Sequence, residues 1–66
     1  MTFGEKLKTI RLEKGMTQQE LAKLTDLAQA TIADYERGKK YPHINNLKEL
    51  ARRLHCSPDD LMSDKE

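Results

Sequence analysis

TQQELAKLTDLAQATIADYERG, from Thr17 to Gly38, decides the fold, because it sets two short apolar-periodic segments around one irregular tetrad, Thr25-Asp26-Leu27-Ala28. Thr17 and Glu20 have the spacing of a capping box, in which hydroxyl and carboxylate each satisfy a backbone N–H of the first turn. Leu21, Ala22 and Leu24 then recur at helical intervals and are expected to form a buried stripe. A second helix is expected over residues 28–37, with Ile32 and Tyr35 inward and Gly38 as its left-handed stop. Leu27 should tuck inward between Leu24 and Ile32. A connection this short cannot let the two helices run antiparallel over much length, so the second leaves the first at a steep angle with one face free.

Working outward, TFGE at Thr2 to Glu5 repeats the capping-box spacing, and Phe3, Leu7 and Ile10 share one helical face. Gly15 supplies the stop, so a first helix is expected over about residues 3–14. Beyond KKYP (Lys39 to Pro42), Ile44, Leu47, Leu50, Ala51 and Leu54 mark a fourth helix, which His43 helps to start. SPDD at Ser57 to Asp60 reads as an N-cap, a proline at the first helical position and a carboxylate-rich first turn. The fifth helix is therefore short. Beta-branched residues are few and no hairpin dipeptide occurs. The expectation is an all-α domain of five helices over residues 1–66, with a helix-turn-helix over about 17–37 and a short acidic tail over about 63–66.

At 66 residues, folding buries only about 60% of the surface of the unfolded chain, which leaves no room for a deep substrate cleft. The single cysteine, Cys56, excludes an intramolecular disulfide, and neither a leader nor a long apolar run is present, so a cytoplasmic, non-membrane protein is expected. Net charge is +1, but the last eight residues carry −3 and leave +4 on residues 1–58, with Arg37, Lys39 and Lys40 bunched after the opening stretch. Such a bias suits a polyanionic partner, and it also describes an ordinary solvated surface. His55 and Cys56 are adjacent with no second ligand pair at metal spacing, so a core thiol and a surface histidine are expected rather than a metal site. No nucleophile, base and orienting partner can be assembled, and no glycine-rich phosphate loop occurs. Neither an enzyme, a cofactor nor a small-molecule ligand is expected.

The free face of the second half of the helix-turn-helix reads Gln29, Ala30, Thr31 and Asp34, slim and polar. Such a face fits the major groove of DNA, where amide, hydroxyl and carboxylate meet base-edge donors and acceptors. From periodicity alone, the same residues could equally be a plain solvent-facing surface. IRLEKGMTQQELA, TIADYERGKKYP and LKELARRLHCSPDDL, in this order and spacing, resemble the lambda-repressor-like or XRE-type (Cro/C1-type) helix-turn-helix transcriptional regulators over nearly the whole chain. The resemblance implies a recognition helix with base-edge contacts from Gln29, Ala30 and Asp34, with Thr31 at the margin. It implies backbone contacts from Gln18, Arg37, Lys39 and Lys40, consistent with the N–H groups and positive dipole end of the preceding helix. It also implies an ion pair between Arg11 and Glu36 that would turn Arg11 toward a phosphate.

Two positions depart from the family pattern. Asp26 stands where glycine is usual, in a turn that calls for a left-handed residue, and Ala28 stands where serine or threonine would cap the next helix. Both concern the turn rather than the DNA face. A lone domain reads few base pairs, so a homodimer on a two-fold-related site in double-stranded DNA is expected, with Pro58, Leu61 and Met62 as the symmetric patch. The function expected is a DNA-binding repressor. The alternative is a helical protein-interaction module of the same fold, such as an antitoxin or adaptor, without DNA binding of its own.

Overall fold

The computed structural model describes residues 2–62; the acidic tail expected over 63–66 lies outside the described residues. Five helices occupy the described residues and no strand does: α1 (Phe3–Glu13), α2 (Gln18–Thr25), α3 (Gln29–Arg37), α4 (Ile44–Arg53) and α5 (Pro58–Met62). Both capping boxes form. Thr2 Oγ1 accepts from the Glu5 N–H (3.2 Å) while Glu5 Oε1 accepts from the Thr2 N–H (3.1 Å), and Thr17 and Glu20 do the same at 3.0 and 2.9 Å. Ser57 and Asp60 exchange a similar pair of bonds at the start of α5.

The first four helices end alike. In each, a left-handed residue, Gly15, Asp26, Gly38 or His55, lets the next N–H reach back five residues: Met16 to Arg11, Leu27 to Ala22, Lys39 to Asp34 and Cys56 to Ala51. This closure satisfies carbonyls that a helix end otherwise leaves open. Two of the four sites lack glycine. Asp26 takes φ 61°, ψ 33°, as the turn demands, and His55 takes φ 59°. Ala28 is the residue before α3 and provides no side-chain cap.

The core is aliphatic. Leu7, Leu21, Ile32, Leu47, Leu50, Leu54 and Leu61 are fully buried, with Phe3, Ala22, Tyr35 and Ala51 completing the cluster. Leu27 packs against it from the turn, and Cys56 from the α4–α5 connection. Burial pushes the Cys56 thiol pKa up, with Asp60 adding to the rise and Lys14 opposing it. Three expected positions differ. Leu24 is 39% exposed and Ile44 is 55% exposed, so neither belongs to the core, whereas Leu61, expected in a dimer patch, is wholly inside it. Leu61 anchors α5 and has no surface left to offer a second subunit.

The site depends most on how α1 and α3 meet. Gly4 is buried at their crossing, where an added Cβ would stand 2.5 Å from the Tyr35 carbonyl oxygen and 2.6 Å from that of Glu36. Only glycine permits this approach. Phe3 then packs edge-on against Tyr35, with ring centroids 6.1 Å apart, and Tyr41 closes over Phe3 at 4.9 Å.

Candidate nucleic-acid interface

Ile32 and Tyr35 turn one side of α3 into the core, and the opposite side is left outward. Gln29 and Ala30 are exposed, and Thr31 and Asp34 are half-buried beside them. Ala33 joins this face. It lies four residues after Gln29 and three after Ala30, a spacing that stacks side chains on a helix and could have been read from the sequence. The result is an amide, two methyl groups, a hydroxyl and a carboxylate on one narrow surface.

Positive charge gathers at the far end. Arg37, Lys39 and Lys40 are exposed, and the Asp34 carboxylate holds two of them, accepting a short hydrogen bond from Arg37 Nη2 and facing Lys40 Nζ at 3.8 Å. Asp34 thus enters the face already paired with cations. At the near end, the capping box engages the N–H groups of Thr17 and Glu20, and helix geometry leaves those of Gln18 and Gln19 without an intrahelical partner. An anion at this end meets both N–H groups and the positive end of the helix dipole.

Behind the face lies the Arg11–Glu36 pair. Arg11 Nε donates to Glu36 Oε2 (2.7 Å) and Nη2 to Oε1 (3.1 Å), while Nη1 donates to the Met16 carbonyl (2.7 Å). The two side chains are 8% and 4% exposed. The expected pair is therefore present, and with the Met16 carbonyl it uses three of the five N–H groups of the Arg11 guanidinium. Gln18 Nε2 donates to the same Glu36 Oε1 (3.0 Å), and Gln18 Oε1 accepts from Gln29 Nε2 (3.3 Å). Sequence reasoning placed Gln18 and Gln29 separately and missed their contact, because 11 residues separate them and the turn alone brings them together.

Elsewhere the surface offers less chemistry. An open hollow of about 390 Å³ between the start of α1 and the α3–α4 loop is lined by Thr2, Phe3, Gly4, Tyr35 and the run from Gly38 to Tyr41, with no carboxylate, imidazole or thiol among them. Among the described residues, no group of three His, Cys, Asp or Glu side chains is placed to hold a metal ion, and no helix is long and apolar enough to cross a membrane. His43 and His55 are both exposed.

A short turn joining two helices, with the second presenting a slim polar face and cations at its margin, defines the helix-turn-helix class. The family model described as Helix-turn-helix matches residues 7–61, and the chain belongs to that family, within its XRE/Cro-C1-type regulators. Two curated relatives are similar along almost all of it. The HTH-type transcriptional activator BcrR of Enterococcus faecalis is 35% identical over the whole chain, which spans 32% of that protein. Control protein C.BamHI of Bacillus amyloliquefaciens is 36% identical over 94% of the chain and 78% of its own length. Among solved structures, the P22 c2 repressor in complex with a synthetic operator superposes with a TM-score of 0.92 at 29% identity, covering 98% of both chains.

Proposed function

We propose that this chain is a sequence-specific DNA-binding transcriptional regulator that seats α3 in the major groove, acts in the cytoplasm as a homodimer on a two-fold-related site, and has no enzymatic activity. The observation that carries this reading is the outward face of α3, polar and slim, on a fold that superposes along nearly its full length on a repressor whose structure includes its operator. In this reading Gln29, Ala30, Thr31 and Asp34 face base edges, with Asp34 also steering Arg37. Gln18, Arg37, Lys39 and Lys40 face phosphates. Arg11, 8% exposed and with two guanidinium N–H groups unspent, stands at the edge of that set. Pro58 and Met62 remain the candidates for subunit contact, since Met62 is 44% exposed and Leu61 is not.

Repression is proposed because occupying an operator needs only binding, and no second surface. The test is selection of bound duplexes from a random pool, followed by titration of the selected and a scrambled duplex over a series of salt concentrations. Selection of a palindromic motif, with affinity falling steeply as salt rises, is expected. Failure to enrich any sequence, or an affinity indifferent to salt, would leave a protein-interaction module in its place.

A further inference from the structure

The hollow between the start of α1 and the α3–α4 loop gathers Phe3, Tyr35 and Tyr41, every Phe and Tyr of a chain that has no Trp. No ligand is expected from the sequence, because these rings meet only where α1 crosses α3. Phe3 and Tyr35 are buried at its base. Tyr41 is different: its ring rests on Phe3 at a tilt of 59°, yet the residue is 61% exposed, so an apolar ring face is left in water. Lys39 and Lys40 line the same hollow and are exposed. Lys40 Nζ stands 3.8 Å from the Asp34 carboxylate, beyond hydrogen-bond distance, and Lys39 has no ion pair among the described residues. The lining thus carries two positive charges and no negative one. Three other hollows, of about 310–320 Å³, hold neither Phe nor Tyr.

We propose that this hollow binds a free nucleoside phosphate, with its base stacked on Tyr41 and its phosphate held by Lys39 and Lys40, and that occupancy lowers affinity for DNA. Its volume of about 390 Å³ lies in the range of small-molecule sites, roughly 300–1,000 Å³. Every base has a π-face with which to cover an exposed ring. Lysine ammoniums are point charges suited to phosphate, and a phosphate monoester carries a charge of about −1.5 to −2 at pH 7, which matches two cations where a carboxylate matches one. The lining holds no side-chain amide, guanidinium or carboxylate to read a base edge, so preference follows stacking area and purines exceed pyrimidines.

The site stands on the hollow alone. Its effect on DNA rests on the reading that Lys39 and Lys40 face phosphates, since a nucleotide that occupies them removes two backbone contacts. By linkage, a bound duplex lowers nucleotide affinity by the same factor.

Guanosine monophosphate (GMP) is titrated into the DNA-free full chain while backbone amide signals are followed by NMR. Saturable shifts at Gly4, Lys39, Lys40 and Tyr41 are expected, with guanosine and inorganic phosphate each binding about tenfold or more weakly than GMP. Tyr41→Leu keeps an apolar cover on Phe3 but removes the ring, and should weaken GMP about tenfold, whereas Tyr41→Phe should bind as the parent does. Lys39→Ala should weaken GMP and leave guanosine unchanged, a comparison that decides even if Tyr41→Leu loses the parent's circular dichroism. On the selected duplex, saturating GMP should reduce the parent's affinity about tenfold beyond sodium chloride of equal ionic strength, and Tyr41→Leu should lose that response while binding the duplex normally without nucleotide. Absence of saturable shifts at these residues, phosphate binding as tightly as GMP, or a folded Tyr41→Leu that binds GMP like the parent overturns the site. Shifts produced by a single-stranded oligoadenylate and not by GMP overturn it as well, and assign the hollow to a strand. If GMP binds but changes duplex affinity no more than sodium chloride does, the effect on DNA is overturned. If GMP binds and no duplex is selected, the proposed function falls with that effect and the site stands; if a duplex is selected and GMP does not bind, the site alone falls.

Discussion

Arg11 and Glu36 show how much one contact can weigh in a domain of this size. For 66 residues a total stability of about 3–10 kcal/mol is ordinary. With side chains only 8% and 4% exposed, Glu36→Ala leaves a buried guanidinium without its counter-charge and should cost about 3–5 kcal/mol. The urea midpoint should fall by a large part of its value, and a midpoint equal to the parent's would mean that water reaches Arg11 freely. Gly4 is a quieter case. Alanine is the better helix former, yet its Cβ would lie 2.5 Å from a backbone oxygen of α3 that no rotamer change can move. Gly4→Ala should therefore destabilise by about 1–3 kcal/mol through forced separation of α1 and α3. A raised midpoint would show that the helices part without penalty. Of these two features, the family resemblance implied only the ion pair. A glycine inside a capping-box tetrad shows nothing of its partner until the crossing of two distant helices is known.

At the scale of the element, α3 starts without a side-chain cap or an acidic first turn, as α4 does at His43. Ala28 has the extended backbone of an N-cap, φ −75° and ψ 148°, but no side-chain oxygen to offer the first turn. Ala28→Ser supplies one and should raise stability by about 0.5–2 kcal/mol, seen as a higher urea midpoint with the selected DNA motif unaltered. A lower midpoint would mean that a hydroxyl there meets something other than the free N–H groups. Both departures from the family pattern were legible in sequence, since capping and left-handed turns depend on local backbone. Side-chain facing was less so. Leu24 looked like part of the α2 stripe, but the buried residues are Leu21, Ala22 and Thr25, and on a helix of 3.6 residues per turn Leu24 points roughly 100° from their centre. Thr25 takes the inward place because its hydroxyl donates to the Leu21 carbonyl (2.8 Å), which removes the cost of burying it. Ile44 fits the period of α4 yet stands at its first position, beyond the point where neighbouring helices cover the stripe.

For the whole molecule, what the sequence could not indicate was the sharing of apolar residues between core and partner. Leu61 and Met62 are adjacent on α5, and a chain this small uses the first to close its own core. If Met62 meets its symmetry mate, Met62→Glu sets two like charges near the axis and should leave a monomer in sedimentation at concentrations where the parent is dimeric; an unaffected dimer moves the interface elsewhere. Docking on DNA divides the remaining surface by distance from the groove floor. Gln29 lies on the first turn of α3, anchored by Gln18, and Lys39 lies past Gly38 in an exposed loop whose backbone has already turned away from the helix. Gln29→Ala should lose roughly 1–3 kcal/mol on the selected duplex, relax one base position per half-site and leave the salt slope nearly as it was. Lys39→Ala should weaken selected and scrambled duplexes alike and reduce the slope of log affinity against log salt by about 1 for each phosphate no longer neutralised. In a dimer each substitution occurs twice, so both effects should approach double these values. Binding of both variants to both duplexes across a salt series decides the matter. Equal weakening of the two duplexes by Gln29→Ala, or a loss confined to the selected duplex for Lys39→Ala, would mean that α3 does not lie in the groove along the face that carries Gln29, Ala30 and Ala33.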